Sequence, residues 1–404
     1  MRYQSFDPGN CGFPRPRVPL LPGLAFGSLG PSRAPRFQAV DAGRQSRAYV
    51  RGRYALTDAY RLCGVGPGGA LLAPAYHCRS MIDPALRLQA PVLLYPSGAD
   101  LVPDLDALRH LIAHATVPAR AMLVTHYFGF AQRLEPLSRL CADHGIDLVE
   151  DCSHAMFRAL ADGATTDPAI GGSGRCAVAS PYKFYPCDDG GLLWANRREA
   201  LPDVASGPQA VIAEIKGVAR SLQQLFARNQ HPDQDKLDQQ TLAIVDLATV
   251  NGSDGSLDSD RPSAYYQPAD EGLQSLAWSR WVVRHTQVAR LAERRRQNYL
   301  RWVQAVAGLP CCHALFPELP ASTVPYMFPL LLDYPQTHFH LLKHLGLPIW
   351  RWDDIAVSTC KTATDYRLRL LHLPCHQELS SVQMDWMTAA VAAVVQRVSA
   401  RGGM

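Results

Sequence analysis

Two short segments of the sequence each end in side chains that could do covalent chemistry. In the first, an apolar run ends at Asp151, with His154 three residues further on; in the second, another apolar run leads into Ser180 and Lys183. A lysine amine can form an imine with an aldehyde and can then move a proton at a neighbouring carbon. A carboxylate beside a pyridine nitrogen keeps that nitrogen protonated, so that the ring can accept electrons.

A third segment could hold a phosphate. Gly52, Arg53 and Tyr54 open a predicted helix, and a helix N-terminus offers free N–H groups and a partial positive charge to an anion. An imine-forming amine, an acid and a phosphate site are together what pyridoxal phosphate (PLP) requires. Taken singly, a strand-end aspartate is more often a cap or a salt-bridge partner, and a lone lysine is usually solvated. The order and spacing of the three segments favour the cofactor site.

Alternating strand and helix signals position these segments. We predict strands at 70–73, 92–95, 121–125, 146–149, 176–179 and 192–195, and helices at 53–62, 81–88, 105–115 and 134–144. This alternation predicts an α/β fold with a parallel sheet covered by helices on both faces. Ligands of such sheets bind beyond the carboxyl ends of the strands, and the predicted site residues lie at those ends.

The rest of the chain predicts an arm, an insertion and a second domain. We expect an irregular N-terminal arm (1–35), a large cofactor-binding domain (36–270) and a smaller C-terminal α+β domain (271–404). Residues 203–265 read as an insertion with amphipathic pieces at 210–228 and 236–248 and a polar tract, 251–263, typical of a mobile loop. In the small domain we predict one long helix (273–306), a strand (326–332) and helices at 338–345 and 382–398.

Composition excludes several classes of protein. The 404 residues are 47% apolar and 19% charged with a formal charge of +4, so neither nucleic acid nor a membrane is an expected partner. The N-terminus lacks the apolar core of a signal peptide, which predicts a cytoplasmic protein. Eleven cysteines without a CxxC pair indicate reduced thiols. Cys311-Cys312-His313 has no second half at suitable spacing, so we predict no metal.

The sequence resembles the DegT/DnrJ/StrS family of PLP-dependent sugar aminotransferases, which have the aspartate-aminotransferase fold (PLP fold type I). GRYAL at 52–56 stands where the family has its Gly-Thr-x-Ala-Leu phosphate loop, and LLAPAYHCRS at 71–80 is similar to its strand–Pro–aromatic turn. Residues 123–155 resemble its central strand–helix–strand unit. SPYKFYPCDDGGLL at 180–193 matches a branch with Ser-x-x-Lys followed by Asp-Gly-Gly.

The resemblance implies roles for single residues. Lys183 would be the Schiff-base lysine and proton shuttle, Asp151 the partner of the pyridinium nitrogen, and His154 the replacement for a glutamine near the ring hydroxyl. The phosphate contacts would come from Ser180, Gly52, Arg53 and Tyr54. In this family, a homodimer completes the active site.

The sequence departs from the family pattern at three points. Arg53 stands for the phosphate-loop threonine, and a charged guanidinium can bind phosphate more strongly. The aromatic residue that stacks on the ring is Cys78 by position, so Tyr76 or His77 is expected to substitute. The inter-subunit Gly-x-Asn-x-Arg segment is not recognisable near residues 265–266, which bears on the acceptor more than on the cofactor.

Two further residues are candidates for the substrate pocket, whereas a run of three arginines is mainly expected to face solvent. His126 ends a predicted strand beside the cofactor, and Arg351 lies in the segment Trp350-Arg351-Trp352-Asp353, where related enzymes approach substrate. Residues 294–296, three consecutive arginines, read as the solvated face of the long helix, although one of them could bind a substrate carboxylate or phosphate.

These features predict transfer of an amino group from an amino acid, glutamate or glutamine, to a free or nucleotide-linked keto-sugar or to a similarly polar keto metabolite. The same imine could instead be directed to dehydration, condensation or retro-aldol chemistry, and the chain could be a PLP-binding regulator without turnover. Ser180-x-x-Lys183, with Ser-Asp-Gly at 253–255 and Lys-Thr-Ala at 361–363, also fits a serine acyl-transferring hydrolase. That serine should open a helix, whereas here a strand precedes it and Pro186 follows.

Overall fold

A computed structural model describes residues 1–8, 11–30, 36–160, 170–197, 199–207, 210–226, 237 and 253–400. Its strands are β1 Arg2–Asp7, β2 Phe37–Ala39, β3 Ser46–Tyr49, β4 Ala70–Pro74, β5 Val92–Tyr95, β6 Ala119–Thr125, β7 Asp147–Asp151, β8 Phe157–Ala159, β9 Cys176–Ala179, β10 Gly191–Ala195, β11 Ser253–Asp258, β12 Cys312–Ala314, β13 Met327–Leu332, β14 Ile355–Ala356 and β15 Leu370–Pro374.

The helices lie between these strands. They are α1 Gly52–Leu62, α2 Arg79–Arg87, α3 Leu105–Ala113, α4 Glu135–Asp143, α5 Ala210–Phe226, α6 Ala277–His285, α7 Val288–Val306, α8 Pro335–His344, α9 Lys361–Arg369 and α10 Ser381–Ala400. Within the part of the chain that the structure describes, none of them is long and apolar enough to cross a membrane.

A seven-stranded sheet in the order β3-β10-β9-β7-β6-β4-β5 forms the centre of the fold. Every neighbouring pair from β9 to β5 is parallel, and β10 runs antiparallel to both of its neighbours. Successive residues of β4 face different cores: Leu71 and Ala73 pack in one hydrophobic cluster and Leu72 in another. Because both faces are covered, the strands are continuous apolar runs, as buried parallel strands require. The predicted mostly parallel α/β sheet is confirmed.

The C-terminal part has a core of its own. The antiparallel sheet β12-β13-β15 packs with α7, α8 and α10 around a cluster that includes Trp302, Phe328 and Trp386. The single long helix predicted at 273–306 is wrong: Thr286 is extended, and the chain forms α6 and α7 on either side of it. The cause is tertiary, since the backbone of Ser28 to Gly30 hydrogen-bonds to both ends of the break, at His285 and Gln287.

The N-terminal residues include a strand where the sequence predicted an irregular arm. The segment β1 pairs antiparallel with β11 on one side and with β14 on the other. The polar tract expected to be a mobile loop therefore contains a strand, because the backbone of β1 supplies its hydrogen-bond partners. The amphipathic piece predicted at 210–228 forms α5, whereas the piece at 236–248 lies outside the described residues except for residue 237. The domain boundaries stay predictions.

Candidate active site

A cavity of about 390 Å³ lies beyond the carboxyl ends of the central strands, between the large sheet and the C-terminal part. It is lined by Ser5, Phe6, Arg53, Cys78, Arg79, Ser80, His154, Tyr182, Lys183, Tyr265, Tyr326, Trp350, Arg351, Trp352, Asp353, Asp354 and His372. Three of the residues predicted for the cofactor site (Arg53, His154 and Lys183) meet here, together with Arg351, the candidate for the substrate pocket. The edge of the sheet thus places the cavity where parallel sheets bind ligands.

Lys183 is presented by a tight turn that follows β9. Pro181–Lys183 forms one turn of 3₁₀ helix, in which the Lys183 amide donates to the Ser180 carbonyl at 3.1 Å. The side chain is buried to 9% exposure, and Nζ lies 5.5 Å from the centre of the Tyr326 ring. Among the described residues, no group accepts a hydrogen bond from Nζ. The amine is therefore held in the cavity wall without being tied to an acceptor.

Asp151 ends β7, the strand next to β9 in the sheet. Its Oδ1 accepts a hydrogen bond from the Ser153 amide at 2.9 Å, and its backbone is paired with Val178. The carboxylate does not line the cavity. It is nevertheless close to the same thiol as Lys183: burial raises the pKa of Cys78, the Lys183 charge lowers it and the Asp151 charge raises it. The two predicted catalytic residues thus lie in one neighbourhood.

The N-terminus of α1 has the features of an anion site. The residue before the helix, Arg51, provides no side-chain cap, and the first turn carries no acid, so no side chain compensates the partial positive charge of this helix end. A Cβ on Gly52 would collide with Ser180 Oγ, so only glycine lets the serine hydroxyl reach this helix end. Arg53 lines the cavity and donates to the Tyr265 carbonyl.

Tyr54, also predicted at the phosphate, points elsewhere. Its hydroxyl donates to Asp270 at 3.1 Å and accepts from the Gln267 amide at 3.2 Å. Its ring packs on Tyr266, with 5.2 Å between ring centres. The side chain therefore supports the segment after β11, and it does not line the cavity.

His154 is a neutral histidine in the cavity wall. Burial, followed by the nearby charge of Lys183 and by His372, lowers its pKa well below the usual value. Its ring stacks on Tyr326 at 4.3 Å, and Nδ1 accepts from the Phe128 amide at 3.5 Å. With Nδ1 as the acceptor, Nε2 carries the proton, and so the ring can donate a hydrogen bond to an oxygen in the cavity.

The turn after β4 does not place Tyr76 or His77 as expected. Tyr76 is fully buried, and its hydroxyl bonds to His372 Nε2 at 2.9 Å. His77 bonds through Nδ1 to two carbonyls of its own turn and accepts at Nε2 from the Ala356 amide. Both side chains point into the protein, and Cys78 lines the cavity instead. The expectation that Tyr76 or His77 takes the stacking place is therefore corrected.

His126 also lies away from the cavity. Its Nε2 is 3.2 Å from Glu150 Oε2, and its Nδ1 accepts from the Gln132 amide. Together with Cys152 the pair forms a buried group of potential metal ligands. However, the Glu150 oxygens already accept from three backbone amides (Gly171, Ser173 and Gly174) at 2.7–2.8 Å. The hydrogen bonds of this group therefore hold in place the segment of chain that follows β8.

Arg351 lines the cavity but is firmly held. Its guanidinium lies 3.7 Å from the centre of the Phe339 ring and pairs with Asp353 at 3.3 Å. Trp352, from the same predicted segment, also lines the cavity, together with Tyr326 and His372, which no feature of the sequence marked. Trp352 packs between Tyr76, at 5.0 Å, and His372, at 5.4 Å. No short motif marks these residues, since loops and a strand that are far apart in sequence bring them together.

The chain is similar in sequence to known aminotransferases. Residues 46–204 match the model of the DegT/DnrJ/EryC1/StrS aminotransferase family. The 3-amino-5-hydroxybenzoate synthase of Amycolatopsis mediterranei is 30% identical over 126 residues, 30% of each chain. The L-glutamine:scyllo-inosose aminotransferase of Streptomyces griseus is 30% identical over 148 residues, 35% of this chain and 32% of that one. The match thus spans about a third of the length of these relatives.

The fold extends further than the sequence match. The aminotransferase TlmJ of Streptoalloteichus hindustanus superposes with a TM-score of 0.58 at 19% identity, over 88% of this chain and 87% of that one. The resemblance drawn from the sequence is confirmed, and so is the PLP fold type I architecture.

The residues present fit PLP, the cofactor of this family. The amine of Lys183 is unengaged, and the neutral His154 has a ring N–H available. The glycine at the start of α1 leaves a cradle beside Ser180 that a side chain would fill. Lys183, Ser180 and the N-terminus of α1 would hold the cofactor, with Arg53 beside them.

Proposed function

We propose that this chain, whose residues 46–204 belong to the DegT/DnrJ/EryC1/StrS family, is a PLP-dependent aminotransferase. The donor would be an amino acid, glutamate or glutamine. The acceptor would be the keto group of a sugar or of a comparably polar ring metabolite. The observation that carries the proposal is the convergence of Lys183, His154 and Arg53 on one cavity at the carboxyl edge of the sheet.

The reaction needs no external oxidant or reductant. The donor loses its amino group and becomes a 2-oxo acid, while the acceptor C=O becomes a CH–NH₂ group. Two electrons and one carbon-bound hydrogen therefore pass from donor to acceptor. When bound, the cofactor supplies an aldehyde that carries the amino group and a ring that withdraws electrons.

The protein moves the proton. Lys183 Nζ takes the proton from the α-carbon of the donor and returns it to the acceptor carbon, acting as a general base and then as a general acid. Asp151, which lies near Lys183 although it does not line the cavity, would hold a proton on the cofactor ring nitrogen. His154 would donate from Nε2 to the ring oxygen. The aromatic walls formed by Tyr326 and Trp352 exclude water from these steps.

Anchoring relies on positive charge at one end of the cavity. Arg53 and the N-terminus of α1 would bind the cofactor phosphate, with the Ser180 hydroxyl beside them. We also propose that the protein is a homodimer, as the family resemblance implies. Analytical ultracentrifugation tests this, and a monomer at micromolar concentration would refute it.

The serine-hydrolase alternative is disfavoured by the surroundings of its residues. The Ser180 hydroxyl shares a hydrogen bond with Ser153 Oγ at 3.0 Å. Asp254 pairs with Arg367 at 2.7 Å, and Lys361 is exposed at the start of α9. Neither Asp254 nor Lys361 lines the cavity.

Isotope transfer tests the proposal. The protein is supplied with PLP, α-¹⁵N-labelled L-glutamine or L-glutamate and a cyclic keto-polyol such as scyllo-inosose, the substrate in the name of one relative. We expect the label to appear in an aminated ring product by mass spectrometry, and the 2-oxo acid to form in equal amount. A visible cofactor band without label transfer to any keto acceptor would instead support a non-transaminating enzyme or a regulator.

A further inference from the structure

We propose that Arg295 is a positioning residue that fixes the backbone of Lys183 relative to the aromatic wall of the cavity. The inference rests on the proposed function. Arg295 lies in the middle of α7 and is fully buried, although it is the central residue of a three-arginine run that the sequence predicted to be solvated. That prediction is wrong for Arg295.

All five N–H groups of the Arg295 guanidinium have partners. One terminal nitrogen donates to the carbonyls of Lys183 at 3.0 Å and Phe184 at 3.3 Å. The other donates to the carbonyls of Pro325 at 3.2 Å and Tyr326 at 2.9 Å. Nε donates to the Gln377 side-chain oxygen at 2.8 Å. The fork therefore joins two backbone segments that are far apart in sequence.

Each of the two joined segments contributes a residue to the lining of the cavity. Lys183 carries the amine, and the Tyr326 ring lies 5.5 Å from Nζ and stacks on His154. The Lys183 amide is already bonded to the Ser180 carbonyl, so Arg295 fixes the other side of the same residue. Gln377 strengthens the arrangement by donating to the Phe184 carbonyl at 2.9 Å.

The positive charge of Arg295 is surrounded by uncharged hydrogen-bond acceptors. Among the described residues, no carboxylate hydrogen-bonds to Arg295; its hydrogen-bond partners are four carbonyls and one amide oxygen, while its guanidinium lies 4.5 Å from the centre of the Phe184 ring. Burial of an unpaired charge is costly, and burial lowers the pKa of Arg295 to about 10. A lysine has three donors without a planar fork, and so it cannot make the same five bonds.

The neighbouring arginines have other tasks and provide the control. Arg294 donates to the Leu379 carbonyl at 2.8 Å, and Arg296 donates to the carbonyls of Pro320 and Thr323. Neither bonds to the Lys183 turn or to Tyr326. Arg294→Lys thus repeats the chemical change one residue away on the same helix.

The test compares Arg295→Lys with Arg294→Lys in the full chain loaded with PLP. We measure kcat and KM for labelled amino transfer, and the visible circular dichroism per bound cofactor, which reports how the cofactor is oriented on Lys183. For Arg295→Lys we expect kcat to fall by about tenfold or more, because small misplacements of a reacting group are costly. KM should stay within about threefold, and the dichroism per cofactor should fall by about half. Arg294→Lys should leave kcat, KM and the dichroism unchanged.

A folded Arg295→Lys protein with wild-type kcat and dichroism would overturn the inference and leave the proposed function standing. Wild-type protein that transfers no label would refute the proposed function instead. If Arg295→Lys fails to fold, Gln377→Met decides, since it removes one bond to Arg295 Nε and one to the Phe184 carbonyl and leaves the four guanidinium–carbonyl bonds in place. We then expect a drop in kcat of about three- to tenfold with altered dichroism, and an unchanged Gln377→Met enzyme would refute the inference.

Discussion

The hydroxyl groups of Ser153 and Ser180 share a hydrogen bond of 3.0 Å. Ser153 also donates its amide to Asp151, and Ser180 accepts the amide of Lys183 at its carbonyl. Two serines therefore link the turn that carries the acid to the turn that carries the amine. This link explains how the side chains of Asp151 and Lys183, at the ends of neighbouring strands, keep a fixed position relative to each other.

Replacement of Lys183 by alanine should remove the visible absorbance of the cofactor bound to the protein. Turnover should fall by roughly 10²–10⁴-fold or more, because the only proposed proton carrier at the reacting carbon is lost. Absorbance spectroscopy after gel filtration and the label-transfer assay measure the two effects. Lys361→Ala, at an exposed position on α9, is the matched control. A Lys183→Ala protein that keeps both properties would show that another residue holds the cofactor.

Replacement of Asp151 by asparagine should separate binding from turnover. Asparagine can still accept the Ser153 amide, so the turn and cofactor binding should persist. Without a negative charge at the ring nitrogen, kcat should fall by about 10²-fold or more. Stopped-flow measurement of the donor half-reaction tests this. Asp147→Asn, at the other end of β7, should be near wild type, and near-normal turnover of Asp151→Asn would refute its assigned role.

Loss of the Arg53 side chain should weaken the binding of the cofactor. Charge-assisted hydrogen bonds contribute a few kcal/mol, so Arg53→Ala should raise the dissociation constant of PLP by about 10- to 100-fold. The kcat at saturating cofactor should change much less. Arg61→Ala is the control on the same helix, since Arg61 pairs with Asp58 and Glu271 away from the cavity. Equal PLP affinity in wild type and Arg53→Ala would place the phosphate elsewhere.

Stability should fall on mild acidification because of His77. Burial lowers the pKa of His77 to about 4, whereas the unfolded residue keeps the model-peptide value of 6.5. The unfolded state therefore binds the proton first: the contribution is complete above pH 6.5 and is lost as the pH falls towards 4. Between pH 7 and 5 this one histidine should cost about 2 kcal/mol of the free energy of unfolding.

Urea unfolding at pH 7 and pH 5 measures this loss. His77→Gln should be less stable at pH 7 but should show a smaller difference between the two pH values. His110→Gln, at an exposed position on α3, should keep the wild-type difference. An unchanged pH dependence in His77→Gln would contradict the neutral buried state of His77.

The central sheet could be predicted from the sequence because its strands are buried on both sides. The predicted bounds of β5 and β9 agree with the structure, since a doubly covered parallel strand is a continuous apolar run with sharp ends. The positions of Lys183 and Asp151 followed from the same rule, because both stand where such apolar runs stop. The local pattern of residues was sufficient to predict these positions, whereas the roles of the two residues stay predictions.

Other features depend on partners that are remote in sequence. The strand β1 alternates polar and apolar residues weakly, and its partners lie about 250 and 350 positions further on. Arg295 reads as solvated because its neighbours are charged, and only the tertiary structure shows the carbonyls that surround it. In the turn after β4, the direction of each side chain determines which of Tyr76, His77 and Cys78 lines the cavity. The sequence gives the residue types in this turn but not the directions of their side chains.

The position of β1 has a consequence for folding in the cell. This segment is made before every other described strand, yet one of its two flanking strands, β14, lies about 350 positions further along the chain. Contacts that are so distant in sequence form slowly, and growing chains order their early regions before such closures. Because Ser5 and Phe6 line the cavity, its covering is completed only after the chain has been translated as far as β14. A nascent chain released too early would carry the amine of Lys183 in an unroofed pocket.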